Sequence, residues 1–85
     1  MKEITMFMMP SCPYCRQALQ WQRELMEEYP ELAAVTVRMI DEQKEPAYAE
    51  QFDYYYVPTY YVGEEKLHEG AATREIVERV LRAAL

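Results

Sequence analysis

Apolar positions along this chain change period several times, and each change marks an element. Ile4-Thr5-Met6-Phe7-Met8-Met9 is a short apolar run stopped by Pro10, the signature of a buried central strand. From Pro13 the period becomes helical and runs to about Tyr29. Tyr14, Ala18, Trp21 and Leu25 share one stripe, and Cys15, Leu19, Met26 and Tyr29 widen it. Gln17, Gln20, Arg23, Glu24, Glu27 and Glu28 face outward. Pro30 lacks an N–H and cannot continue the helix. Ala34–Ile40 predicts a second strand, Asp41–Glu45 a polar turn, and Pro46 the opening of a short helix over Ala47–Phe52.

The remaining third has a different pattern. Thr59–Val62, a Gly63-Glu64 turn and Lys66–Glu69 predict a β-hairpin, which Gly70 ends. Thr73 can cap a final helix with Ile76, Val77, Val80, Leu81 and Ala84 on its buried face. The order is βαβαββα. The long helix between the first two strands suits a right-handed parallel crossover. The expected architecture is α/β: a four-stranded mixed sheet flanked by helices, in one domain over residues 1–85. No repeat or linker interrupts it.

Composition narrows the partners. Eighty-five residues, 51% of them hydrophobic, support one modest core that buries roughly 60–65% of the unfolded surface. Nine basic against fifteen acidic residues give a net charge of −6. Such a surface repels nucleic acid and anionic lipid, and an electropositive protein is the favoured partner. Met1-Lys2-Glu3-Ile4 leads directly into the first strand, without the apolar stretch of an export signal, and no run is long enough to span a membrane. A cytoplasmic monomer is expected.

The candidate chemistry lies in Cys12-Pro13-Tyr14-Cys15, where the first strand gives way to the first helix. These are the only two cysteines. In a reducing compartment a lone CxxC pair is catalytic or metal-binding rather than a permanent staple. Unpaired N–H groups at a helix start favour negative charge, and hence the thiolate of Cys12, the nucleophilic form. Cys15, one turn further in, is placed to be the buried resolving thiol. The alternative is an iron–sulfur or soft-metal module. Thiolates suit such metals, but a closed zinc site takes four ligands, and the chain offers two cysteines and the distant His68.

With these residues in view, the chain resembles the glutaredoxin-like members of the thioredoxin superfamily over nearly its whole length. The resemblance rests on the early strand, CPYC at the start of the first helix, Val57-Pro58-Thr59 opening the third strand, the Gly70 bend and the terminal helix. It implies a thioredoxin fold and a dithiol oxidoreductase acting on disulfides of proteins or small molecules. It implies Cys12 as nucleophile, Cys15 as resolving thiol, and a cis Val57–Pro58 bond beside them. The backbone before that proline would pair with an extended substrate. Pro13, Tyr14, Tyr56, Val57, Pro58, Gly70 and Thr73 become the candidate substrate-binding residues. No bound cofactor or metal is implied. Glutathione is a candidate cosubstrate, and the electrons would come from it or from a thioredoxin reductase. Two departures stand out. The family commonly has a basic residue where this chain has Met9, and a Gly-Gly-x-Asp stretch for glutathione where it has Gly70-Ala71-Ala72-Thr73. Thr73, Arg74 or a backbone N–H are the candidate substitutes.

Overall fold

Strand β1 (Ile4–Met8) lies inside the sheet, and every residue from Ile4 to Phe7 is buried. The computed structural model describes residues 1–85. The other elements are α1 (Pro13–Glu28), a 3-10 turn (Leu32–Ala34), β2 (Val37–Asp41), α2 (Pro46–Ala49), β3 (Thr59–Val62), β4 (Glu65–Glu69) and α3 (Arg74–Ala83). The sheet order is β2-β1-β3-β4, with β1 parallel to β2, antiparallel to β3, and β3 antiparallel to β4. This is the expected βαβαββα thioredoxin topology with a four-stranded mixed sheet.

Strand alternation divides the interior into two layers. Ile4, Met6, Tyr60 and Val62 face α1 and α3, packing with Ala18, Leu25, Val77, Val80 and Leu81. Phe7, Ile40 and Tyr61 face α2, packing with Ala49 and against Tyr48, Phe52, Tyr54 and Val57. A fully buried leucine such as Leu25 or Leu81 contributes about 1.5–3 kcal/mol of transfer free energy. Tyr60 and Tyr61 point to opposite faces of the sheet and both are core.

Several boundaries differ from the sequence expectation. β1 ends at Met8, because the Met9 carbonyl turns to accept the Cys12 N–H at 3.1 Å. β2 begins at Val37 rather than Ala34. The chain after Pro30 first forms the 3-10 turn, which buries Leu32 beneath α1 and directs Ala34 into that turn. α2 is a single turn ending at Ala49, followed by turns to Phe52. On α1, Tyr14 is off the buried stripe, and Gln22 fills the place between Ala18 and Leu25.

Glycine is required at two corners. Gly63 (φ +59) makes the tight turn of the β3–β4 hairpin, and Gly70 (φ +92) turns the chain out of β4. β3 and β4 slip register between Tyr60 and Tyr61, so Leu67 is left unpaired between His68 and Lys66.

Candidate active site

Cys12 is the N-cap of α1, extended at φ −82 and ψ 117, with Pro13 at the first helical position. A helix start leaves N–H groups without carbonyl partners, and here one of them is used directly: Cys15 N–H donates to Cys12 Sγ at 3.3 Å. Cys15 itself is fully buried, whereas Cys12 keeps 9% of its surface exposed. The thiols are therefore inequivalent. Burial, and then the neighbouring Cys12 sulfur, push the Cys15 thiol well above its ordinary range; the Met9 N–H pulls back, and Glu42 adds a smaller upward push. Both cysteines are reduced in this structure.

The second wall of the site is the segment Tyr54–Thr59. Val57–Pro58 is a cis bond, as the resemblance implied. The Val57 carbonyl lies 3.9 Å from Cys12 Sγ, although the two residues are 45 apart in sequence. Pro58 is buried, and its carbonyl accepts the Gly70 N–H at 2.8 Å. Tyr56 carbonyl accepts the Thr59 hydroxyl. The Val57 N–H donates to no group of the protein. A free backbone donor beside a thiol at a sheet end is what an extended chain can pair with.

Pro13 and Tyr14 form the exposed front of the helix start, Tyr14 being 62% exposed. The Arg16 guanidinium folds back onto the Pro10 carbonyl at 3.3 Å, placing a cation behind the CPYC turn. That residue was absent from the sequence expectation, as a single exposed arginine carries no pattern. Tyr55 and Tyr56 are largely exposed, whereas Tyr54 stacks on Phe7 at 4.8 Å between ring centroids. Tyr54 also donates to Glu42 at 2.7 Å, and burial followed by that carboxylate holds its phenol strongly un-ionised. Tyr54 and Tyr55 line an open cleft of about 500 Å³ against α2, with Glu42, Pro46, Ala49 and Phe52 among its other walls. Neither cysteine lines this cleft.

The residues offered as substitutes for a glutathione site are engaged internally. Thr73 Oγ1 accepts the Ile76 N–H at 3.2 Å as the N-cap of α3. Arg74 pairs with Glu28 of α1. His68 Nε2 lies 2.9 Å from the Ala71 carbonyl, holding the Gly70–Thr73 bend to β4. No group of three or more His, Cys, Asp or Glu side chains is gathered in a way that could hold a metal ion, so the metal-binding alternative has no structural support. No helix is long and apolar enough to cross a membrane.

Comparison with known proteins agrees with the topology. A family model described as a thioredoxin domain matches residues 2–82. Among solved structures, one titled "Structure of a malarial protein" superposes with a TM-score of 0.72 at 15% identity, covering 99% of this chain and 97% of that one. At that identity the likeness speaks for the fold alone. No curated protein matches the chain.

Proposed function

Because the chain belongs to the thioredoxin-domain family and carries Cys12 and Cys15 at the start of α1, we propose that it is a dithiol thiol–disulfide oxidoreductase of glutaredoxin-like form. The observation that carries this reading is the unequal environment of the two thiols. Cys12 sits at the helix start with an N–H aimed at its sulfur, and Cys15 is sealed beneath it.

The chemistry follows from that inequality. The Cys12 thiolate attacks one sulfur of a substrate disulfide, and the other sulfur leaves as a thiolate and takes a proton from solvent. Cys12 is then joined to the substrate in a mixed disulfide. Its sulfur no longer carries charge, which removes one of the causes that hold the Cys15 proton. Cys15 loses that proton and attacks Cys12 Sγ. The substrate leaves as a second thiolate, and the Cys12–Cys15 disulfide forms. Two electrons have passed to the substrate, and a two-electron reductant, two glutathione thiols or a thioredoxin reductase, must reopen the bond. Pro13, Tyr14, Tyr56, Val57 and Pro58 bound the region where the substrate would lie. The free Val57 N–H suits the backbone of a polypeptide. Thr73 and Arg74, spent on the α3 cap and the pair with Glu28, leave Gly70–Thr73 poorly equipped for glutathione. Protein disulfides are accordingly the favoured substrates, and a thioredoxin reductase the favoured donor. The net charge of −6 favours an electropositive protein partner.

The test is NADPH consumption by the oxidised protein with insulin as substrate, comparing glutathione plus glutathione reductase with a thioredoxin reductase. Turnover with the latter and little with the former is expected. Fast turnover only with glutathione would make the chain a glutathione-dependent enzyme. No acceleration of insulin reduction over the protein-free rate with either donor, nor with dithiothreitol, would overturn the oxidoreductase reading.

A further inference from the structure

β4 ends on Glu69, whose side chain turns across the sheet end to the tyrosine segment. Glu69 Oε2 accepts the backbone N–H of Tyr55 at 2.6 Å and of Tyr56 at 3.0 Å. Lys66 Nζ holds the other oxygen, Oε1, at 2.8 Å, and also donates to the Asp53 carbonyl at 3.1 Å. The carboxylate is thus fixed on its own strand and ties down two consecutive amides of a segment that has no regular secondary structure. The next residue continues the restraint, since Gly70 N–H donates to the Pro58 carbonyl at 2.8 Å. The Val57–Pro58 unit is therefore gripped on both sides from the end of β4.

The consequence for the site passes through one peptide plane. Tyr56 has its N–H fixed by Glu69 and its C=O fixed by the Thr59 hydroxyl. The Tyr56–Val57 bond is trans, and in a planar trans peptide the N–H points opposite to the C=O. Fixing Tyr56 therefore aims the Val57 N–H away from Thr59, into the space where it meets no protein acceptor. Tyr56 and Tyr55, 70% and 86% exposed, are presented by the same restraint as aromatic surface beside that donor. Small disulfides need the thiolate alone, whereas a polypeptide needs the oriented amide and its aromatic flank as well.

We infer that Glu69 is a positioning residue for polypeptide substrates: by accepting the Tyr55 and Tyr56 amides it holds the Val57 N–H and the two tyrosine rings in the pose that receives an extended chain next to Cys12. This rests on the oxidoreductase reading above and names the residue that would confer its preference for protein disulfides.

The experiment compares wild type, Glu69→Ala and Glu69→Gln, each fully reduced and then freed of reductant, in single-turnover reactions with two probes, insulin and the small aromatic disulfide dithiobis(nitrobenzoate). Loss of a charge-assisted hydrogen bond corresponds to about tenfold or more in an equilibrium constant. In Glu69→Ala the half-saturating concentration of insulin should accordingly rise about tenfold more than that of the small disulfide, with the limiting rate falling less than the half-saturating concentration rises. Glu69→Gln, which keeps an acceptor oxygen, should recover part of the difference. Amide hydrogen exchange gives a second readout: the Tyr55 and Tyr56 amides should be protected in wild type and lose protection in Glu69→Ala. Equal changes with both probes, or unprotected tyrosine amides in wild type, would overturn the inference. So would unfolding of both variants, because Glu69 would then be a stability residue. Failure of wild type to reduce either probe would instead overturn the oxidoreductase reading itself.

Discussion

The Gln22 side-chain amide donates to the Tyr60 phenol across 2.6 Å inside an otherwise apolar layer. Gln22 lies on the helix that starts at Cys12, and Tyr60 lies two residues beyond Pro58. The bond therefore joins the two elements that bring the thiols and the Val57 loop together. Gln22 also reaches Met6 Sδ at 3.2 Å, and burial keeps the Tyr60 phenol firmly protonated.

Because both partners are buried, removing one leaves the other without a hydrogen bond. Gln22→Ala should cost about 2–3 kcal/mol from the lost bond and the space left behind, and Tyr60→Phe about 1–2 kcal/mol. The pair Gln22→Ala with Tyr60→Phe removes both polar groups and should be more stable than the sum of its singles predicts. Urea denaturation of the four proteins checks this, and strict additivity would show that the two groups do not interact.

The thiols should be separable by alkylation. At neutral pH iodoacetamide should modify the reduced protein once, at Cys12, and reach Cys15 only after denaturation, because Cys15 is buried and holds its proton. The raised folded-state value has a definite sign in stability. The contribution of neutral Cys15 is full below the ordinary thiol value of 9.0 and is lost as pH rises toward its folded value. Peptide mass mapping reads the first expectation, and denaturation midpoints of wild type against Cys15→Ser in alkaline buffers read the second.

Substitution of each thiol should stop the reaction at a different stage. Cys12→Ser should abolish disulfide reduction. Cys15→Ser should still attack the substrate and then stall as a mixed disulfide, visible by intact-mass measurement as the protein plus one substrate thiol. Full turnover by Cys12→Ser would show that the pair is not the reacting centre.

Glu69 gives the site an acid limit. Its carboxyl is held down to about 2, first by Lys66 and then by the Tyr55 and Tyr56 amides. The restraint it places on the tyrosine segment should be complete above the ordinary carboxylate value of 4.5 and be lost as pH falls through about 2. A carbon-detected NMR titration of the Glu69 carboxyl, with a midpoint well below the other glutamates, is the expected outcome; a midpoint among them would show the clamp to be open in solution.

Gly70→Ala should lower stability by about 1–2 kcal/mol through its positive φ, since a methyl there would meet only Tyr56 Cβ at 3.9 Å. Thermal melting measures it, and an unchanged midpoint would mean that this corner relaxes at no cost.

Local pattern alone disclosed the four strands, the three helices, the Thr73 cap and the cysteine pair, because each is written in nearby residues. Period, proline position and CxxC spacing are short-range facts. The cis Val57–Pro58 bond and the place of that loop came from resemblance, and nothing in its local composition required them. The start of β2 was misplaced since Ala34 and Val35 suit a strand as well as the turn that buries Leu32 and Val35.

Gln22 and Glu69 were invisible for a related reason. Glutamine on a helix and glutamate on a hairpin both read as solvated surface, and only the chain's return to the same place supplies their partners. Gln22 meets Tyr60 38 residues later, and Glu69 reaches back 14 residues to Tyr55. The same holds for the contact of Cys12 with Val57. The sequence by itself determined which elements form and which residues can do thiol chemistry, since propensity and reactivity belong to residues and their neighbours. The tertiary structure alone decided which thiol is sealed, which carboxylate grips the loop and which backbone amide is left free, since burial and hydrogen bonding depend on what distant segments bring together.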